Sequence, residues 1–515
     1  MRVSTILVPL VFIAFNFLLS VEIQANRPDK LSLDSSKSDV CRIEVDPYQE
    51  ESAARSAGPE KTDPMTGSQE RQISQLFSKY SGKNTPGAAI AIVRNGKMVY
   101  KNGFGMANLE YDIPVTPSTI FHIASVSKQF TTFAILLLEK EGKLSLDDDI
   151  RMYLPEVPDF GKKITLRNLA IHTSGLRDQW NLLSMAGWRM DDVITREHIL
   201  KLVSRQKELN FDPGAEFLYC NTGYTLLAEV VARVSGKTFP EYTEEYIFKP
   251  LNMTSTLFYD DHERIVKNRA YSYKNDGNGY RKSVLNYANA GATSLFTTVE
   301  DLSLWALNFE NPVVGDRELI SKMSQKGVLN NGDTIEYALG QVVGNYKGLT
   351  MVSHGGADAG YRTFLARFPD QQFSVMVFSN DASCNPGSLA LKVADICLKN
   401  EIIPDPAVEQ KAGSANTTKV PSDKSLVNPD EFTGRFYSEE LSTEYVFVLE
   451  NDVLVATHPR LSDIKLTPEK VDSFTGDKWF FGLAEFVRDG SQSIIGCRVS
   501  AGRVRNVWFK KVGDL

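Results

Sequence analysis

The chain has 515 residues, is 42% hydrophobic and 23% charged, and carries a formal net charge of -7. That length exceeds one ordinary domain and predicts two or three folded units of globular composition. The negative balance, without a basic stripe interleaved with aromatics, argues against a nucleic-acid partner. The six histidines form no metal-ligand spacing, so neither a metal nor another cofactor is expected.

At the start, Arg2 precedes a nearly unbroken apolar run over residues 6–19, and the small Ala25 follows. A charged start, an apolar run short for a bilayer and a small residue at the cut predict a signal peptide over residues 1–25. The protein is therefore expected to be secreted or periplasmic, with no stable membrane span after cleavage; an uncleaved anchor is the competing reading. Residues 26–66 are rich in Ser, Asp, Glu, Lys and Pro and are expected to form a disordered linker.

A hydrolase-sized unit follows over residues 67–400. Ile73, Leu76, Phe77 and Tyr80 recur with helical period. Residues 88–93 and 98–100 flank Arg94-Asn95-Gly96-Lys97, an Asn-Gly hairpin signal. Phe121-His122-Ile123-Ala124-Ser125-Val126-Ser127-Lys128 then enters a very apolar helix. Spaced apolar residues predict further helices over 166–171, 196–203, 221–234, 241–248 and 299–308. The period returns to strands over 339–343, 350–353, 362–368 and 373–379, closed by a helix over 389–398. Strands at both ends with helices between them predict an α/β (α+β) fold. One antiparallel sheet flanked by helices would carry a helical subdomain, with a cleft at the junction. Residues 401–428 read as a linker. Short alternating stretches over 432–437, 445–449, 453–457, 464–466, 480–487, 494–499 and 504–509 predict a small β-barrel or sandwich over 429–515.

Five cysteines (Cys41, Cys220, Cys384, Cys397, Cys497) encode no disulfide framework, although a Cys384–Cys397 bridge is compatible with the spacing. Cys220 is expected to pack behind its turn. No Gly-x-Ser-x-Gly elbow occurs, and Gly236-Lys237-Thr238 lacks the first glycine of a phosphate loop, Val231 standing in its place. His172 is expected to be structural, at a helix end.

Chemistry centres on Ser125 and Lys128. Three residues apart at a helix mouth, they share one face, where free N–H groups suit a developing anion. Desolvation beside an apolar core disfavours the ammonium and leaves an amine able to act as a base. Ser-x-x-Lys also occurs at Ser204/Lys207 and Ser462/Lys465, so partners must decide. They are Tyr219-Cys220-Asn221, opening a helix, and Ser353-His354-Gly355-Gly356-Ala357, where the glycines allow close backbone approach.

These three motifs, in this order, resemble the serine β-lactamase/penicillin-binding protein family, nearest the branch of class C β-lactamases, D-alanyl-D-alanine carboxypeptidases, D-aminopeptidases and esterases. Leu169-Ala170-Ile171-His172-Thr173-Ser174-Gly175-Leu176, Pro250-Leu251-Asn252-Met253-Thr254-Ser255 and Thr297-Thr298-Val299-Glu300-Asp301-Leu302 add to the likeness, which covers about residues 68–400. The resemblance implies Ser125 as acylated nucleophile, Lys128 as proton acceptor, Tyr219 as proton shuttle and Asn221 as holder of Lys128 and the substrate amide. It also implies an oxyanion hole from the N–H groups of Ser125 and Ala357, and a substrate-binding edge of His354, Gly355, Gly356 and Ala357. Whether Lys128 or Tyr219 is the base stays open, since the two titrate as a pair. His354 stands where Lys is usual and Gly355 where a Thr hydroxyl would grip a carboxylate. The expected substrates are accordingly esters, or amides and peptides of D-amino acids, rather than β-lactams. An imidazolium at His354 would anchor an anion only as pH falls through about 6.5. The alternative is a catalytically silent relative that binds cell-wall peptide or a protein partner. No oligomeric state is encoded.

Overall fold

A computed structural model describes residues 65–403 and 428–515. The expected signal peptide over 1–25, almost all of the linker over 26–66 and most of the linker over 401–428 lie outside the described residues. At the first described residues Thr66 caps the helix Gly67–Leu76, accepting from the Gln69 N–H while the Gln69 side chain returns to the Thr66 N–H.

The central sheet has six antiparallel strands in the spatial order Val342–Tyr346, Leu349–Asp358, Tyr361–Phe368, Phe373–Ser379, Ala88–Arg94, Lys97–Phe104. Both ends of the hydrolase segment thus meet in one sheet, as the alternating pattern implies. Successive strand side chains face opposite ways, and Ala88–Arg94 uses both faces. Ala88, Ile90 and Ile92 join a core under the helices Gly67–Leu76 and Pro386–Cys397, while Ala89, Ala91 and Val93 join the larger core on the other face. The strand expected over 339–343 begins later, at Val342. The reason is the turn at 338–341: Gly340 has φ +77°, and a Cβ there would stand 2.7 Å from Thr132 Oγ1.

The helix Lys128–Lys140 runs through the middle of the larger core, buried on nearly every face. Phe130 stacks on Trp305 at 4.2 Å between ring centroids, and the Trp305 indole donates to Gln129 Oε1 at 3.1 Å. The expected helices near 166, 196, 221 and 299 are present, whereas the short helices Gln179–Met185 and Arg317–Met323 had no signal long enough to predict them.

Beyond the central unit, eight antiparallel strands close into a barrel, the first (Gly434–Ser438) pairing with the last (Val504–Gly513). Sequence periodicity implied seven; the additional one, Ser473–Lys478, ends in Gly476, Asp477 and Lys478 and has little apolar alternation. Aromatic side chains including Phe436, Tyr445, Phe447, Phe481, Phe486 and Phe509 fill the barrel, and this filling is continuous with the larger hydrolase core. The junction also buries a bidentate ion pair. Arg177 Nη1 donates to both Glu440 oxygens at 2.7 Å, and its Nε donates to the Arg505 carbonyl at 3.0 Å. Tyr445 adds a hydrogen bond to the Met185 carbonyl at 3.0 Å. Cys220, Cys384, Cys397 and Cys497 are free, so Cys384 and Cys397 are not bridged. Among the described residues no helix is long and apolar enough to cross a membrane.

Candidate active site

Ser125 sits in the short 3-10 turn Ala124–Ser127, just before the helix that Lys128 opens. The turn is strained and clamped. Ala124 has φ +49°, a left-handed conformation costly for a residue with a Cβ. Thr363 Oγ1 donates to the Ile123 carbonyl at 2.8 Å on one side, and the Leu295 N–H donates to Ser127 Oγ at 3.1 Å on the other. Gly356 is required where the neighbouring strand passes this turn, because a Cβ there would lie 2.3 Å from both the Ile123 carbonyl and Thr363 Oγ1. Gly355 has no such contact, its nearest neighbour being the Phe364 ring at 3.5 Å.

The Lys128 amine is fully buried and makes three hydrogen bonds: to Ser125 Oγ at 3.1 Å, Asn221 Oδ1 at 2.9 Å and the Ala292 carbonyl at 2.7 Å. None of the acceptors is a carboxylate. Burial lowers its pKa from 10.5 to about 7, with Asp358 and Asp178 pulling weakly upward and Arg503 weakly downward. A neutral amine is thus well populated near pH 7. The Tyr219 ring lies 4.9 Å from Lys128 Nζ. Its phenol behaves oppositely: burial raises its pKa well above the ordinary value, outweighing the hydrogen bond with Ser125 that favours the ionised form. The four residues expected to do the chemistry thus converge on one point.

Sequence reasoning missed Asp178. Its fully buried carboxylate accepts from the Asn221 N–H at 2.7 Å and from Asn221 Nδ2 at 2.8 Å, at the mouth of the helix Asn221–Ser235. This fixes the Asn221 amide so that its oxygen, not its nitrogen, faces Lys128. Asp178 also caps its own short helix through the Trp180 N–H at 3.0 Å, the only role that local sequence advertises. His172 is structural, as expected, and fully buried. Its ring packs on Tyr219 at 4.1 Å between centroids, and Nδ1 accepts from the Cys220 N–H at 3.0 Å. Cys220 is buried, its thiol directed at the Leu176 carbonyl.

His354 lines the cleft. Both ring nitrogens are engaged, Nε2 with the Tyr337 hydroxyl at 3.0 Å and Nδ1 beside the Gly355 carbonyl at 2.7 Å. Burial, reinforced by Lys128, lowers its pKa to about 4. With that pKa the ring is neutral near pH 6.5, where an imidazolium anchor would have to switch on. Ala357 and Asp358 continue the same edge. Asp358 is held ionised by His122 at 2.9 Å and by Thr293, which oppose the effect of its burial.

These groups line a cleft of about 600 Å³ that contains Ser125, Tyr219, Asn221, His354, Gly355, Gly356 and Ala357. It shares Trp180, Ala357, Asp358, Arg362 and Arg503 with a neighbouring hollow of about 810 Å³ on the barrel side. A cleft that brings a serine hydroxyl, a buried amine of lowered pKa and a protonated phenol together has the groups that acyl transfer needs.

The family model described as Beta-lactamase matches residues 73–395. Penicillin-binding protein 4* of Bacillus subtilis (strain 168) is 29% identical over 334 residues, covering 61% of this chain and 73% of that protein. A D-aminopeptidase of Gluconobacter oxydans (strain 621H) is 26% identical over 324 residues, with 62% of this chain and 60% of that protein covered. In fold, an octameric penicillin-binding protein homologue from Pyrococcus abyssi superposes with a TM-score of 0.58 at 24% identity. That likeness spans 86% of this chain and 99% of the homologue, well beyond the segment the family model matches.

Proposed function

The chain belongs to the beta-lactamase family and is a serine hydrolase, and from that premise we propose an exported enzyme that works through an acyl-enzyme on Ser125. The proposed substrates are esters, or amides and peptides of D-amino acids, the second class in keeping with the names D-aminopeptidase and D-amino acid amidase among its relatives. The observation that carries the reading is the Lys128 amine, buried without a carboxylate contact and 3.1 Å from Ser125 Oγ.

In the proposed sequence neutral Lys128 takes the Ser125 proton as Oγ bonds the substrate carbonyl carbon. The resulting oxyanion accepts from the N–H groups of Ser125 and Ala357, donors typically worth about 3–4 kcal/mol each in the transition state. Tyr219, protonated because burial disfavours its phenolate, delivers a proton to the leaving oxygen or nitrogen as the carbonyl bond to it breaks. Lys128 can replenish that proton. Water then attacks the acyl carbon by the same relay in reverse and releases the acid and free Ser125. Asn221, fixed by Asp178, keeps the amine aimed at Oγ.

The test is turnover of p-nitrophenyl butyrate and of D- and L-alanine p-nitroanilides by wild type and Ser125→Ala. Ester turnover abolished by the substitution is expected, with D over L preference on the anilides. Equal rates for the two proteins would leave a binding protein in place of an enzyme. Export rests on residues 1–25 alone, and an N-terminus retaining them in the extracytoplasmic protein would count against cleavage.

A further inference from the structure

We infer that Arg503, carried by the C-terminal barrel, is a specificity-determining residue of the hydrolase cleft, where its guanidinium receives a carboxylate on the leaving-group side of the substrate. This deepens the acyl-enzyme reading and rests on it.

The first observation is placement. Gly502 and Arg503 join the last two barrel strands, Ile494–Ala501 and Val504–Gly513. Hydrolase-segment side chains hold this tip along its backbone. Asn181 Nδ2 donates to the Ala501 carbonyl at 3.2 Å, Asn210 Nδ2 donates to the Arg503 carbonyl at 3.0 Å, and the Arg505 N–H donates to Asn210 Oδ1 at 2.8 Å. The Asp178 N–H also faces the Arg503 carbonyl, at 3.4 Å. Gly502, at φ +55°, lies against Asn181. A main chain fixed at this many points aims its side chain reproducibly.

Direction and charge follow. The guanidinium stands 4.7 Å from the centroid of the Tyr219 ring and lines the same cleft as Ser125. Its closest carboxylate oxygen, Asp178 Oδ2, is 3.9 Å away and already accepts two hydrogen bonds from Asn221. The side chain is 43% exposed, so its forked donors face the cleft with their charge incompletely matched. That fork fits a carboxylate with two parallel hydrogen bonds. Of the other groups along the sheet edge, His354 is neutral and Gly355 has no side chain, while the second guanidinium of the cleft, Arg362, donates to the Ala359 and Tyr361 carbonyls. Stacking against the phenol proposed to protonate the leaving group puts the guanidinium on that side of the scissile bond.

Two esters with the same acyl group and the same scissile bond test this: N-acetyl-D-alanyl-glycolate and N-acetyl-D-alanyl-glycolamide, with p-nitrophenyl butyrate as a neutral reference. Wild type should prefer the glycolate. Arg503→Gln should lower its kcat/KM about 10- to 100-fold while changing the glycolamide and the butyrate less than about 3-fold. Arg505→Gln, which breaks the adjacent pair with Glu216 at the same junction, should keep the wild-type ratio. Equal losses on all three esters with Arg503→Gln, or no wild-type preference for glycolate, would overturn the inference. In either case Ser125-dependent turnover of any of the three esters leaves the hydrolase reading standing, whereas no turnover of any of them by wild type removes both.

Discussion

The buried Lys128 amine makes a prediction with a computable size. At pH 7 about half of the amines are neutral if the pKa is about 7. Only about one in 3,000 would be neutral for a lysine at its ordinary 10.5, so burial raises the supply of base by about three decades. For a p-nitrophenyl ester, kcat/KM should therefore climb with unit slope from pH 5, where about one amine in a hundred is neutral, and level off above about pH 8. Lys128→Met should lower the plateau by about two to four decades and abolish the limb. Keeping the amine neutral also has a cost in stability, whose sign is opposite to that of a salt-bridged lysine. The folded-state pKa lies below the unfolded one, so the penalty is absent above 10.5, grows as pH falls toward 7 and is constant below. It amounts to about 4 kcal/mol at pH 7, before the lost hydrogen bonds are counted. Denaturant unfolding of Lys128→Met against wild type should show that difference opening between pH 10 and pH 7. A flat pH–rate profile from 5 to 9, or a Lys128→Met enzyme within tenfold of wild type, would refute the assignment of the base.

Glu440→Ala leaves buried Arg177 with only the longer contact to Glu208 at 3.8 Å, and a loss of up to about 3–5 kcal/mol in unfolding free energy is expected from chemical denaturation. Gly356→Ala forces a Cβ into the Ile123 carbonyl and should cost most of the ester activity and several degrees in Tm. Gly355→Ala meets only a van der Waals neighbour and should melt within about 2 °C of wild type, a distinction that paired melting curves and rates resolve. With His354 neutral above about pH 4, the ratio of kcat/KM for glycolate to that for glycolamide should stay level from pH 5.5 to 8. A ratio rising as pH falls through 6.5 would restore the imidazolium anchor.

The groups proposed to react were legible because each lies in a short motif whose spacing states a geometry: Ser125 and Lys128 one helical turn apart, Tyr219 and Asn221 at a helix mouth, two glycines on a strand. The sheet was legible from an Asn-Gly hairpin signal early in the segment and from short apolar strand-length runs late in it. What remained hidden is tertiary. Asp178 reads locally as a helix cap, and its second hydrogen-bonding role becomes visible only when the helix Asn221–Ser235 is laid against it. Arg503 occupies an ordinary hairpin turn with nothing in Ala501-Gly502-Arg503-Val504 to announce a cleft. The charge of His354 follows from the enclosure that Tyr337, Tyr219 and Lys128 build around it. The strand Ser473–Lys478 forms because neighbours on both sides offer ladder partners, not because its own residues favour it.

The hairpin tip of the barrel separates two things that most enzymes keep in one scaffold. The machinery proposed to make and break the bond belongs to the hydrolase segment, at the start of its central helix, the mouth of the helix Asn221–Ser235 and the sheet edge, while the group proposed to sort one substrate from another rides on a barrel loop. A change at position 503 would then retune selectivity, toward an ammonium with an acid or toward a neutral tail with an apolar residue, from a loop outside the segment that carries Ser125 and Lys128. Divergence among paralogues with this layout should accumulate at that tip first.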